Sequence, residues 1–187
     1  MYKTDDNIVA LATLPGKSAL NVIRLSGPKA LECYYVLTKT TKQPKPRFAN
    51  LVAIYSESGK QIDQAIITYY KGPNSFTGED MLEISVHGGV VIAKKVLGEA
   101  MAIDVRQAFP GEFSYRAYIN NKIDLIQAES IAGIINSISS IDSYYNLNNI
   151  KGSLSKEIIE IKKLVVDEIK KIEFTIDFDE EEVDIQK

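Results

Sequence analysis

The sequence has few of the residues that build metal centres, disulfides or thiol chemistry. Its 187 residues include one histidine, one cysteine and no tryptophan. The lone cysteine, Cys33, cannot form an intramolecular disulfide, and its apolar neighbours predict a buried side chain. Structural zinc sites draw their ligands from clusters of Cys and His, so this composition excludes a structural zinc site.

Long apolar runs are missing as well. No segment approaches the about 20 apolar residues needed to span a bilayer. Acidic Asp5 and Asp6 stand where a secretory signal has its basic region. With 45% hydrophobic and 25% charged residues, the chain has the composition of a globular protein. We therefore predict a cytoplasmic protein with no membrane partner.

An excess of basic residues is also lacking. The net charge is -3, with the acidic excess concentrated in residues 177–184. Phosphate contacts dominate most nucleic-acid affinity, and no basic stripe supplies them here. We do not expect tight nucleic-acid binding by these residues alone, which leaves open an RNA substrate held mainly by a partner. Residues 42–47 form a short basic, proline-rich connector that we expect to be exposed.

Up to about residue 118 the pattern predicts an α+β domain. Short β-rich segments bounded by turn residues alternate with helical ones. The predicted strands are 8–12, 21–25, 51–55, 65–70 and 81–86, and the predicted helices are 29–37 and 90–101. In the last strand Leu82, Ile84 and Val86 alternate with Glu83 and Ser85, which predicts one buried and one open face.

From Asp124 onward the hydrophobic rhythm is helical. Apolar residues recur at steps of three and four, first at residues 131–141 and then along residues 154–176. Ser153 and Ser155 are candidate caps at the start of the later helix. An apolar stripe this long needs a partner surface, either further helices or a second chain. We assign 1–118 to a first domain and 119–187 to the beginning of a helical domain.

A Gly-Lys-Ser run at residues 16–18 is not a nucleotide-binding loop. The phosphate-binding loop needs an earlier glycine where Leu11 stands, and a helix where a strand is predicted. Pro15 also removes a backbone donor that such a loop would use.

Two polar features of the first domain have both a structural and a functional interpretation. A turn-rich loop covers residues 72–80, and His87-Gly88-Gly89 joins a strand to a helix. The glycines suit either a tight turn or a close approach to an anion at the helix N-terminus. His87 is either a packed residue or an acid–base group. Glu83 is either an ordinary strand residue or an acceptor for two parallel N–H donors.

The order of residues in 109–129 goes beyond what an amphipathic helix needs. This segment combines a Pro-Gly turn, aromatic residues, an arginine, an Asn-Asn pair and a lysine before a long helix. We expect it to contribute to a site near the domain junction.

Together these segments resemble the N-terminal part of the tRNA modification GTPase family known as MnmE or TrmE. The most specific matches are the Gly-Pro-Asn-Ser-Phe-Thr-Gly-Glu-Asp run at 72–80 and the Pro-Gly-Glu-Phe run at 110–113. Ile-Arg-Leu-Ser-Gly at 23–27, Leu82-Glu83 and the His-Gly-Gly at 87–89 also match. The resemblance runs from about residue 6 to residue 183.

The resemblance implies a fold like the folate-binding part of glycine-cleavage aminomethyltransferases. It also implies binding of 5-formyl- or 5,10-methylene-tetrahydrofolate, and homodimerisation. In the family, a flavin-dependent partner of the MnmG or GidA type joins in modifying C5 of the wobble uridine in tRNA. The GTPase domain, which uses GTP, magnesium and potassium, is absent from these 187 residues, so we expect no GTP hydrolysis by them alone.

Carried over by the resemblance, the folate contacts fall on Arg24, Glu83 and Lys122. Glu83 is expected to accept the donor edge of the pterin, and the two cations to bind the carbonyl and carboxylate oxygens of the ligand. His87, Arg116 and Asn120 are expected to shape the pocket. No catalytic residue and no metal ligand is expected, because the folate carries the reactive carbon.

One departure from the family leaves an alternative open. Small residues that usually follow the first Pro-Gly are replaced here by the run Lys-Ser-Ala-Leu-Asn at 17–21, which is less permissive than glycine. A ligand-free dimerisation module with the same fold is therefore the second hypothesis. A free-standing folate-dependent aminomethyltransferase is the third.

Overall fold

The computed structural model describes residues 4–177, which divide into two compact units. The first unit extends to Ile123, and the second, called here the helical unit, begins at Asp124. The division thus lies five residues beyond the domain boundary at 118, and the functional assignment of the two domains stays a prediction.

The first unit is built on one six-stranded mixed sheet, which is an α+β architecture as predicted. The strands are β1 Asn7–Leu11, β2 Leu20–Ser26, β3 Ala49–Tyr55, β4 Gln61–Tyr70, β5 Met81–His87 and β6 Val105–Gln107. Their order across the sheet is β3-β4-β5-β2-β1-β6. Neighbours pair antiparallel except β1 and β6, which are parallel. All five predicted strands are present, and the three-residue β6 was not predicted.

One face of the sheet carries the core. Helices α1 Ala30–Thr38 and α2 Val90–Met101 pack against it, which confirms both predicted helices. The inward-facing residues of β5, Leu82, Ile84 and Val86, are fully buried, whereas Glu83 and Ser85 are only partly buried. Cys33 of α1 is buried in the same core, and burial raises the pKa of its thiol to about 11. The cysteine is therefore a packed apolar side chain rather than a reactive thiolate.

The second face of the sheet is only partly covered. At one end Ile8, Ser26 and Met81 are buried, and the Ser26 hydroxyl is hydrogen-bonded to Thr77 of the 72–80 loop. Further along the same face Leu51 and Ile66 are 67% and 46% exposed. Arg24 and Glu83 lie between these two regions, at the margin of the covered part.

A third helix of the first unit, α3 Glu112–Ile119, begins directly after a Pro-Gly turn. Gly111 caps it in the left-handed conformation, with a φ of 76°, which glycine adopts without strain. Helix α3 is polar on its buried side, since Glu112 and Arg116 are both buried. Hydrophobic periodicity therefore gives no signal for it.

The helical unit contains α4 Leu125–Asn136, α5 Ser140–Ile150 and α6 Ser153–Asp177. Asp124 caps α4 by accepting from the Gln127 amide, and the Gln127 side chain accepts from the Asp124 amide in return. The apolar residues across 131–141 keep helical spacing, but the chain forms two helices there, because α4 ends at Asn136 and α5 begins at Ser140. Ser139 caps α5 by accepting from the Asp142 amide. Ile138, between the two helices, is 99% exposed.

The caps predicted for α6 are not formed. Ser153 is already helical, and its hydroxyl donates to the carbonyl of Asn148 instead. The predicted apolar stripe of α6 is present and exposed, from 39% at Leu154 to 76% at Ile176. Across the described residues, no helix combines the length and the apolar character required to cross a bilayer.

Candidate functional site

The candidate site centres on an ion pair between β2 and β5. Arg24 and Glu83 are direct partners in the antiparallel ladder, so both side chains stand on the open face of the sheet. The Arg24 Nη2 lies 2.7 Å from Glu83 Oε1, and Arg24 Nε donates to the same oxygen at 2.8 Å. The pair is accessible, with 37% of the arginine side chain and 25% of the glutamate side chain exposed.

Two aromatic residues complete the surroundings of this pair. The Tyr70 hydroxyl donates to Glu83 Oε2 at 3.1 Å, and the Arg24 guanidinium lies 5.6 Å from the centre of the Phe76 ring. Burial and then the charge of Glu83 raise the pKa of Tyr70, so the phenol keeps its proton and remains a donor. The ring of Phe76 gives the guanidinium a flat apolar contact.

The Glu83 carboxylate still has capacity to accept. A carboxylate offers about four lone-pair positions. Arg24 occupies two positions on Oε1 and Tyr70 one on Oε2. One position remains on Oε2, and a second donor can enter if Arg24 gives up one of its two bonds. The donor set therefore fits a ligand that presents adjacent N–H groups to Glu83.

The 72–80 loop beside the pair has a closed, hydrogen-bonded conformation. Asp80 accepts from the Gly72 amide at 2.8 Å and from the Tyr69 hydroxyl at 2.7 Å, which joins the two ends of the loop. Gly78 has a φ of 81°, and a Cβ there would lie 3.1 Å from the Cβ of Asn120. Glycine is needed at this position both for its conformation and for the close approach of the segment after α3.

Lys122 and Asn120 hold the loop from its other side. The Lys122 ammonium donates to the carbonyl of Pro73 at 2.9 Å, and the Asn120 amide donates to the carbonyl of Thr77 at 2.7 Å. Both side chains are therefore brought to the same loop as Phe76, which contacts Arg24. The Lys122 ammonium is exposed and has three N–H groups, so it can bind an oxygen of a ligand while holding the loop.

Arg116 lies in a buried ionic cluster instead of at the open face. Its side chain is 0% exposed and contacts the carboxylates of Asp6, Glu79 and Glu112. Arg106 pairs with Asp6 and Glu112 as well. We call these five residues the ionic cluster. Since Glu79 is also bound by the Ser26 hydroxyl at 2.7 Å, the cluster joins the N-terminal segment, the loop and α3 to the sheet.

The ionic cluster keeps two of its carboxylates, those of Asp6 and Glu112, charged. Burial by itself would raise the pKa of Asp6 and of Glu112. Bonds to Arg106 and Arg116 and the charges of both arginines lower the pKa of Asp6 below its ordinary value. A bond to Arg106, a bond from the Phe109 amide and the charges of both arginines do the same for Glu112. The bonds to Glu112 and Asp6 raise the pKa of Arg106 still further. Asp6, Glu112 and Arg106 are therefore ionised at neutral pH, and the cluster acts as a fixed structural connection.

His87 is placed away from the pair. It ends β5, four residues beyond Glu83, which is about 13 Å along a strand. Its ring is 67% exposed and its Nδ1 lies 2.7 Å from Asp63 Oδ1. The bonds from His87, opposing the effect of burial, lower the pKa of Asp63. His87 thus has a carboxylate partner of its own and does not contact Arg24 or Glu83.

Gly88, directly after His87, allows close packing against the loop between β1 and β2. Gly88 exchanges backbone hydrogen bonds with Ser18 and Ala19, and a Cβ at Gly88 would lie 1.8 Å from the Ser18 carbonyl oxygen. The tight-turn interpretation of this motif therefore has a specific structural cause. Within residues 4–177, no group of three or more acidic, Cys or His side chains is arranged to hold a metal ion.

The structure therefore sorts the six predicted site residues into three groups. Arg24 and Glu83 are in direct contact. Lys122 and Asn120 both donate to carbonyls of the 72–80 loop, whose Phe76 contacts Arg24. Arg116 and His87 have separate carboxylate partners. Tyr70 and Phe76 were not predicted to contact the site. Phe76 lies in the specific 72–80 run, so its motif was a signal, whereas Tyr70 is recognisable only from the register of β4 on β5.

Comparison with known proteins gives consistent matches. A family model described as GTP-binding protein TrmE N-terminus matches residues 7–122. The tRNA modification GTPase MnmE of Marinomonas sp. (strain MWYL1) is 43% identical over 184 residues, covering 98% of this chain and 40% of the relative. MnmE of Legionella pneumophila (strain Paris) is 41% identical over 179 residues, covering 96% and 40%. MnmE of Saccharophagus degradans (strain 2-40 / ATCC 43961 / DSM 17024) is 42% identical over 182 residues, covering 97% and 40%.

These relatives are longer than the present chain. The chain spans 40% of the length of each of them, so the match concerns their N-terminal part. The family model alone covers more than half of the chain, and the matched region contains Arg24, Glu83 and Lys122. On these grounds the chain belongs to the TrmE N-terminal family, the N-terminal domain of tRNA modification GTPases.

Proposed function

We propose that the first unit binds a one-carbon tetrahydrofolate on the open face of its sheet, at Arg24, Glu83 and Lys122. The observation that carries this proposal is the Glu83 carboxylate, which is partly exposed, paired with Arg24 and hydrogen-bonded by Tyr70. A carboxylate in this setting suits the adjacent N–H and amino donors of a pterin ring.

Each residue has a role that follows from its contacts. Glu83 accepts from the pterin, and Arg24 rearranges from two bonds on Oε1 to one, which frees an N–H for a ligand oxygen. Lys122 offers its remaining N–H groups beside the carbonyl of Pro73. Phe76 supplies an apolar surface next to Arg24. When bound, the folate would supply the one-carbon unit, and no residue of this chain has to act as a nucleophile.

The wider role follows from the family and is part of the proposal. The chain acts as the N-terminal part of a homodimeric, cytoplasmic tRNA-modifying GTPase. With a flavin-dependent partner of the MnmG or GidA type, the whole protein modifies C5 of the wobble uridine in tRNA. GTP, magnesium and potassium belong to the GTPase domain of that longer protein.

Calorimetric titration of the chain with 5-formyl-tetrahydrofolate tests the proposal. We expect binding by the wild type and a loss of about 10- to 100-fold in Glu83→Gln, since a hydrogen bond to a charged group contributes about 1.5–3 kcal/mol. The matched control is Glu32→Gln, an exposed carboxylate on α1 behind the other face of the sheet. Thermal unfolding of both variants checks that the fold is intact. Equal affinity in wild type and Glu83→Gln would contradict the site.

A ligand-free interaction module remains the second candidate, and one observation favours it. Arg24 and Glu83 already bind each other, and Leu51 and Ile66 expose apolar surface on the same face. A face of this kind can serve association alone. This alternative predicts no heat of binding in the titration, together with a concentration-dependent dimer in analytical ultracentrifugation.

A further inference from the structure

A second concave site lies next to the 72–80 loop and has a basic character. It has a volume of about 420 Å³ and is lined by Pro46, Arg47, Lys71, Gly72 and Asn74. We call it the basic pocket. Both of its cationic residues are exposed. The net charge of the chain is -3, whereas the charged side chains that line this pocket are both positive.

The cations of the basic pocket are available to an anion. The Arg47 Nη2 donates to the carbonyl of Asn74 at 3.0 Å, which leaves further N–H groups of the guanidinium for a ligand. Among residues 4–177, neither Arg47 nor Lys71 has a carboxylate within salt-bridge distance. The nearby Asp80 is instead occupied by the Gly72 amide and the Tyr69 hydroxyl.

The backbone at Arg47 is strained. Its φ is 60°, in the left-handed region that side chains other than glycine rarely adopt. Its amide nevertheless donates to the carbonyl of Tyr69 at 2.7 Å, so the edge of the sheet holds this conformation. The strained backbone directs the guanidinium towards the loop, where Asn74 accepts from it.

The basic pocket is connected to the candidate site through Tyr70. The Tyr70 hydroxyl donates to Glu83 Oε2. Burial and then the charge of Glu83 raise the pKa of Tyr70, and the charges of Arg24 and Arg47 both oppose that rise, so both arginines act on one hydroxyl. Arg47 precedes β3, and β3, β4 and β5 are neighbours in the sheet. Two strand spacings separate it from Glu83, which is about 10 Å.

We propose that the basic pocket binds the carboxylates of the glutamate tail of the folate whose pterin is held at Glu83. This inference rests on the proposed function. A tetrahydrofolate has its donor edge at one end and its glutamate carboxylates at the other, with one aromatic ring between them. Arg47 matches a carboxylate with two N–H groups and Lys71 adds a compact positive charge. Tails with several glutamates bring more carboxylates and bind more tightly.

The test compares three ligands by calorimetry: 5-formyl-tetrahydropteroate, which has no glutamate, 5-formyl-tetrahydrofolate, and its triglutamate. We expect the wild type to bind the last two at least about 10-fold more tightly than the first, because the first lacks the carboxylates that would form charge-assisted bonds with Arg47 and Lys71. Arg47→Gln and Lys71→Gln should each reduce this preference, and the double variant should abolish it. Affinity for the tail-free ligand should stay unchanged in all three.

The outcomes separate this inference from the proposed function. Wild-type binding of all three ligands with equal affinity overturns the basic pocket and leaves the Glu83 site in place. A loss in the variants that is the same for all ligands also overturns it. No binding of any ligand by the wild type overturns both proposals together.

Two further variants control for charge and for folding. Lys60→Gln removes an exposed positive charge at the turn between β3 and β4, and it should keep the full preference for glutamylated ligands. Arg47→Gly relieves the left-handed strain, so its unfolding temperature should equal or exceed that of Arg47→Gln. It should lose the tail preference to the same degree. A purely structural role of Arg47 would instead make the two variants differ in ligand preference.

Discussion

Two arginines of the same unit, Arg24 and Arg116, show how burial changes what an ion pair does. Arg24 stands on the open face with one carboxylate partner, and 37% of its side chain is exposed. Arg116 is 0% exposed and contacts three carboxylates. The first can exchange its partner for a ligand at small cost, whereas the second cannot release a partner without leaving a buried charge unpaired.

The difference assigns separate tasks to two regions that the family resemblance had grouped together. The ionic cluster holds the N-terminal segment, the 72–80 loop and α3 in place, and the open-face pair has the accessibility that binding requires. Arg116 can therefore influence a ligand only through the loop it positions. Measurements of stability and binding in matched variants of the two arginines test this separation.

The largest effect on stability is expected from Arg116→Met. Removal of the guanidinium leaves the carboxylates of Asp6, Glu79 and Glu112 close together in a poorly solvated place. Breaking a buried pair from one side typically costs about 3–5 kcal/mol. Urea denaturation followed by circular dichroism measures the change in the free energy of unfolding. A loss below about 1 kcal/mol would show that the cluster does not act as a structural connection.

A smaller effect is expected from acid, and it has a defined sign. The folded-state pKa values of Asp6 and Glu112 lie below their ordinary values of 3.8 and 4.5. Their contribution to stability is therefore complete above about pH 5 and is lost as the pH falls through the folded-state values. Asp63, whose pKa is lowered by His87, adds to the same trend.

Denaturation midpoints between pH 7 and pH 3 measure this dependence. We expect the midpoint to be nearly constant down to about pH 5 and then to fall. In Arg116→Met the fall should be shallower, since the carboxylates have then lost part of what depresses their pKa. A steeper fall in that variant would contradict the assignment.

The smallest effect on stability is expected from Arg24→Met, the matched change on the open face. Partly exposed ion pairs contribute about 0–1 kcal/mol, so the free energy of unfolding should change by no more than about that amount. The affinity for 5-formyl-tetrahydrofolate should nevertheless fall, because Glu83 loses the group that orients it. If Arg24→Met destabilised the fold as much as Arg116→Met does, the two regions would not differ in function.

Much of the fold was predictable because its signals are local. Alternation of apolar and polar residues located five of the strands, and it was enough to place Glu83 on the open face. Helix α3 could not be found in this way, because the side chains that it buries include Glu112 and Arg116. A helix with buried charges has no apolar stripe, so the periodicity that identifies ordinary helices is absent. The three residues of β6 are too few to show a pattern.

The residues of the candidate site could be named from the sequence, but the contacts between them could not. The specific run at 72–80 and the family resemblance were enough to name Arg24, Glu83 and Lys122 as one set. The basic pocket had only a weak signal, a short basic connector at 42–47 that was expected simply to be exposed. Its relation to Tyr70 and Glu83 depends on the order of β3, β4 and β5 across the sheet.

By itself the sequence determined the fold class, the family and the chemical types available to the site, because each of these depends on residues close together in the chain. Tertiary structure alone decided which arginine meets which carboxylate. Arg24 faces Glu83 across 59 positions through the register of β2 on β5, and Arg116 meets Asp6 across 110 positions. The burial of an arginine decides whether it is accessible to a ligand or holds the fold together. That burial depends on which other segments of the chain pack over it.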